Sequence, residues 1–158
     1  MEYLIGRNRK ARQSYGFDEI ALVPGPLTIN PEDVDTTWTI DGKKIEFPII
    51  AAAMDGVVDS KLAIAMGKMG GLAILNLEGV QTKYEEPEKV IDKIVKSSVD
   101  EATRLVQHIY EEPIKEKLVE KRIKEIKKAG VPAVVSCIPQ KAPRLGRIAQ
   151  DAGADIFI

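Results

Sequence analysis

At 158 residues, with 44% hydrophobic and 30% charged side chains, the chain has the makeup of one soluble globular domain with a substantial core. A formal net charge of -1 gives no general reason to expect nucleic acid or an anionic membrane as partner, and no apolar run approaches the ~20 residues of a membrane-spanning helix. One cysteine excludes an internal disulfide and a cysteine-based zinc site; with no secretory signal pattern after Met1, the expected location is the cytoplasm.

Residues 1–46 precede the first core strand and read as an N-terminal cover. Arg7, Arg9, Lys10 and Arg12 suggest a solvated basic arm, and Pro24-Gly25-Pro26 and Asn30-Pro31 break the chain after it into short extended pieces. Trp38 to Ile40, then Asp41-Gly42, then Lys44 to Glu46 predict a small hairpin, because Asp-Gly favours a type I′ turn.

Phe47 to Glu78 predicts strand, helix, strand. Pro48 to Ala53 is a continuous apolar run, as in a strand covered on both faces of a parallel sheet. Asp59 or Ser60 can cap a helix with Leu62, Ala63, Met66 and Met69 on its apolar face. Gly70-Gly71 ends that helix and is not a phosphate loop, since it lacks the spacing of any such fingerprint. A second strand from Leu72 to Leu75 then runs out on Asn76 and Glu78. Residues 79–130 read as a charged helical segment: one helix from Pro87 to about Ser97, a second capped by Asp100, and a third after Pro113 ended by Gly130. Val131 to Ile138 predicts a third strand. A helix through Leu145, Ile148 and Ala149 comes next, and Ala154 to Ile158 begins a fourth strand.

Four β-α repeats behind a cover predict an α/β chain forming the first half of a TIM (β/α)₈ barrel, a fold that needs ~250 residues. Residues 47–158 would hold its first four parallel strands, and the apolar strand at Ile158 suggests truncation. An open four-stranded sheet complete in itself is the alternative. In such folds ligands gather at the carboxyl ends of the strands. That position singles out Met54, Asn76, Glu78 and Ser136. Asp55 does too, although Asp-Gly also tightens turns without any ligand. Cys137 reads as an inert strand cysteine and His108 as a surface or helix-packing residue.

The words Tyr15-Gly16-Phe17-Asp18-Glu19, Pro48 to Val57 (PIIAAAMDGV), Ala63 to Met66 and Gly70-Gly71-Leu72 resemble those of inosine monophosphate (IMP) dehydrogenases and guanosine monophosphate (GMP) reductases, in the same order. Residues 79–130 stand where many members carry regulatory CBS modules. Asn76 to Gly79 and Gln81 to Tyr84 look most like the CBS-lacking IMP dehydrogenase-related branch. The resemblance implies a TIM barrel that oxidises IMP to XMP with NAD in guanine nucleotide synthesis, through a cysteine thiolate that adds to purine C2. It implies a homotetramer that uses a monovalent cation such as K+. The family's cysteine loop and cation site match positions beyond Ile158, so no catalytic residue and no metal site are expected in this chain, which alone would be inactive.

Carried onto matching positions, the resemblance puts Ala52, Met54, Asp55 and Gly56 at the purine mononucleotide, and the strand-end residues Asn76, Glu78 and Ser136 on the cofactor side. Ala52 replaces the usual serine, and Asn76 and Glu78 replace a His-rich ending. These departures leave IMP against GMP, NAD against NADP and the direction of reaction open. A GMP reductase-like activity is one alternative. A non-catalytic half-barrel module that associates with itself is another.

Overall fold

The structure, a computed structural model, describes residues 2–158. The chain divides into two compact units, one ending at Asp35 and the other spanning Thr36–Ile158.

In the first unit β1 (Glu2–Ile5) pairs antiparallel with β2 (Arg9–Arg12). Gly6 and Asn8 make the turn between them in the left-handed region, at φ +57° and +58°. Arg7 lies in the turn and Arg9, Lys10 and Arg12 in a strand; all four are exposed, as a solvated basic arm predicts, but they sit on a hairpin. The sequence hides this hairpin because its side chains are mostly exposed and show no apolar alternation. Beyond it lie two single-turn 3-10 helices, at Phe17–Glu19 and Pro31–Asp33.

The second unit opens with the expected hairpin, β3 (Trp38–Ile40) and β4 (Lys43–Ile45). Asp41 and Gly42 both take positive φ, +47° and +74°, as a type I′ turn requires. Its buried Ile45 packs with Leu72 and Val134, so the hairpin lies against the sheet.

That sheet holds four parallel strands in chain order: β5 (Ile50–Ala51), β6 (Leu72–Asn76), β7 (Val134–Ser136) and β8 (Ile156–Phe157). Between them run α1 (Ser60–Lys68), then α2 (Val80–Lys83), α3 (Pro87–Lys96), α4 (Val99–Glu111) and α5 (Glu116–Lys128), and last α6 (Ala142–Asp151). The fold is α/β, the strand order and helical connections being those of the first four units of a (β/α)₈ barrel.

Local chemistry sets the helix ends. The Asp59 carboxylate accepts from the Leu62 N–H at 2.7 Å and caps α1. Helix α4 starts earlier than Asp100 predicts. Ser98 is the N-cap, and the Glu101 carboxylate reaches back to accept from its N–H at 3.4 Å and from its hydroxyl at 2.7 Å, which fixes the cap one residue before Val99. Gly130 at φ +76° turns the chain out of α5.

The main core lies between the sheet and the α1, α5 and α6 helices, where Leu75, Val119, Ile123, Ile126 and Val135 are fully buried. Each such side chain contributes about 1.5–3 kcal/mol relative to exposure. A smaller cluster of Val80, Val90 and Ile109 joins α2, α3 and α4, giving the helical insert its own packing.

Candidate active site at the strand ends

Because the four strands are parallel, their carboxyl ends and the turns after them lie on one side of the sheet. The β5 turn carries Met54, Asp55 and Gly56, β6 ends on Asn76 with Glu78 beyond, and Asn76 stands opposite Ser136 of β7. The first turn is tight: the Met54 carbonyl accepts from the N–H groups of Val57 and Val58 at 2.9 and 2.8 Å. Met54 is 52% exposed, and Ile49, Ile50 and Val57 around it are exposed to a similar degree, so the strand end presents an apolar surface. Ala52 and Gly56 flank it and are also exposed, whereas Asp55 is half-buried.

The Asp55 side chain is engaged on both oxygens. Oδ1 accepts from Asn76 Nδ2 at 2.9 Å, and Oδ2 accepts from the Val80 N–H at 2.9 Å and from the Tyr110 hydroxyl. Asn76 in turn accepts from the Glu78 N–H at 3.0 Å. Glu78 reaches the next loop: it accepts from the Ile138 N–H at 2.6 Å and pairs with Lys141 at 2.6 Å. Burial works against its charge, but Lys141 and the Ile138 N–H win and hold its carboxyl below the usual range. Asn76 and Glu78 therefore brace three strand-end loops together.

Two residues of the insert that the sequence did not single out complete this cluster. Lys83 is 7% exposed and donates to the carbonyls of Tyr110 and Glu112 at 2.8 and 2.7 Å. Burial, then the nearby Lys141, lowers its pKa, with Asp55 and Glu78 pulling the other way. Tyr110 comes from α4, and burial with its bond to Asp55 raises the phenol pKa, so it stays protonated and donates. Gly79 was missed as well. A Cβ there would lie 1.8 Å from both Asp55 carboxylate oxygens, so only glycine lets the carboxylate reach the first turn of α2. A glycine just after a strand-end acid is the one sequence signal that pointed to it.

Cys137 is half-buried with Sγ 3.3 Å from the Ile138 carbonyl. Burial and the neighbouring Glu78 push its thiol pKa up, the opposite of what a nucleophile needs. His108 is exposed on α4, its Nδ1 3.2 Å from Glu111. Among the described residues no group of three or more His, Cys, Asp or Glu could hold a metal, and no helix is long and apolar enough to cross a membrane. A concavity of about 420 Å³ lies elsewhere, beside the start of α1, where Asp59, Lys61, Glu88 and Arg122 line it.

The IMP dehydrogenase / GMP reductase domain model matches residues 14–158. An uncharacterized oxidoreductase of Mycolicibacterium smegmatis is 33% identical over 159 aligned residues, which cover 98% of this chain and 42% of that protein. The inosine-5'-monophosphate dehydrogenase of Methanocaldococcus jannaschii is 32% identical over 100 residues, 58% of this chain and 20% of that protein. A crystal structure of an IMP dehydrogenase/GMP reductase-like protein from Corynebacterium glutamicum superposes with a TM-score of 0.82 at 31% identity, over 99% of this chain and 43% of that one. The chain thus spans less than half the length of the curated relatives that it matches. A domain match from residue 14 to 158 and a structural likeness over 99% of the chain lead to one conclusion: the chain belongs to the IMP dehydrogenase / GMP reductase family.

Proposed function

We propose that this chain supplies the nucleotide-side wall of an oxidoreductase site that converts IMP to XMP with NAD, in a protein that continues past Ile158. One observation carries the reading: in a chain of this family, the exposed apolar surface of Met54 stands at the carboxyl end of the first strand, between Ala52 and Gly56. A flat purine ring suits such a surface. With alanine at position 52 there is no hydroxyl to bond the nucleotide, so packing on Met54 carries more of the affinity. Bound NAD would accept the hydride from purine C2. Asn76 and Glu78 act on that side by holding the loops after β6 and β7, because their polar atoms already have protein partners. Ser136, at the end of β7, is the remaining strand-end group for the cofactor. The assembled enzyme is a cytoplasmic homo-oligomer, and its cysteine nucleophile comes from the continuation, since Cys137 is held as a neutral thiol.

Absorbance at 340 nm tests this. The 158-residue polypeptide with IMP and NAD is expected to form no NADH. The product of a coding region followed past Ile158 is expected to form it and to lose IMP affinity, by KM, on Met54→Ala. Turnover by the 158-residue chain, or an M54A variant with unchanged KM, would overturn the assignment.

A further inference from the structure

We propose that Asp55 is a positioning residue, and that Tyr110 of the helical insert clamps it so that Met54 is held at the strand end. The significance of Met54 rests on the proposed nucleotide wall; the clamp itself rests on geometry alone. A carboxylate left to contact a ligand needs a free oxygen facing the site. Asp55 instead has one oxygen on Asn76 and the other shared by the Val80 N–H and the Tyr110 hydroxyl. A hydroxyl and a backbone amide converging on one carboxylate oxygen are charge-assisted bonds, about twice as strong as neutral ones. Gly79 is the space into which that carboxylate fits.

Tyr110 is itself held. The Lys83 ammonium donates to its carbonyl and to that of Glu112, and lies 5.6 Å from the centre of its ring. Lys83 is the last residue of α2, and Val80 is the first. One four-residue helix therefore meets the carboxylate at its start and the phenol-bearing helix α4 at its end. The Tyr84 hydroxyl adds a second tie to α4 through the Ile109 carbonyl at 2.9 Å. The insert is thus coupled to the turn after β5 by a chain of named contacts, and a shift of α4 is passed to the residue beside Met54. This gives the insert, which stands far from the strand in sequence, a role in setting the shape of the nucleotide wall.

The test uses the 158-residue chain with ¹³C-methyl methionine and compares Tyr110→Phe with Tyr84→Phe. Each variant loses one hydroxyl of the same region, but only the first touches Asp55. Y110F is expected to shift or broaden the Met54 methyl resonance and to speed hydrogen exchange at the Val80 amide at least fivefold. Y84F, which reaches the turn only indirectly through α4, is expected to change both by less than half as much. An unchanged Met54 resonance in Y110F, or equal changes in both variants, overturns the clamp. Failure of the IMP reading is seen separately, in KM for IMP of M54A, and leaves this outcome untouched.

Discussion

Gly79 shows how a single missing methyl group decides the strand-end geometry. Its φ of -99° is open to any residue, so the requirement is one of space and not of backbone strain. Gly79→Ala would put a Cβ at 1.8 Å from both Asp55 oxygens and push the carboxylate off Val80 and Asn76. Losing two bonds to a half-buried charge should cost about 2–4 kcal/mol. Urea unfolding measures it, and a loss below about 0.5 kcal/mol would contradict the close fit. At this scale the sequence was only partly readable. Met54, Asp55, Asn76 and Glu78 stand out in the sequence by their place after strands, and the structure puts them at the strand ends. Tyr110 and Lys83 do not, because contacts across 55 and 27 residues leave no local pattern.

Helix α5 is where pattern and packing agree most closely. Val119, Ile123 and Ile126 recur at i, i+4 and i+7 and all three are buried, while Glu120 and Lys124 pair at 3.0 Å on the exposed side. Ile123 is fully buried in the main core. Ile123→Ala should lower stability by about 2–5 kcal/mol through lost burial and the cavity left behind. A thermal or urea melt checks this, and a change under about 1 kcal/mol would mean the core collapses around the gap. Other elements were harder to read. The strand predicted over Pro48 to Ala53 pairs only at Ile50–Ala51, because Pro48 has no N–H to give and the chain turns at Met54. The four-residue α2 has too few residues to show any period.

Across the second unit, Asp155 ties together parts that are distant in sequence. Its carboxylate accepts from the Ala133 N–H at 2.8 Å, from Lys127 at 2.8 Å and from Lys43 at 3.0 Å, linking the start of β8 to the approach to β7, to α5 and to the hairpin. Burial would raise its pKa, but Lys127, the Ala133 N–H and Lys43 together hold it below the usual carboxylate value. A depressed folded pKa means stability that is present above the unfolded value near 4 and lost as pH falls through the lower folded one. Asp155→Asn should therefore cost about 1–2 kcal/mol at pH 7, limited by the partly exposed ammonium groups, and the gap to the wild type should narrow below about pH 4. Unfolding curves at pH 7 and pH 3 decide it; a pH-independent gap would count against the ion pairs. The amino-acid sequence by itself pointed to the family, through several words in the same order along the chain, and determined the β-α order, the type I′ hairpin and the strand-end positions, each of which depends on neighbours within a few residues. Only the tertiary structure decided that Asp55 faces inward to Val80 and Tyr110 and that the insert is tied to the site. Those contacts arise once the sheet and helices have brought residues far apart in sequence within hydrogen-bonding distance.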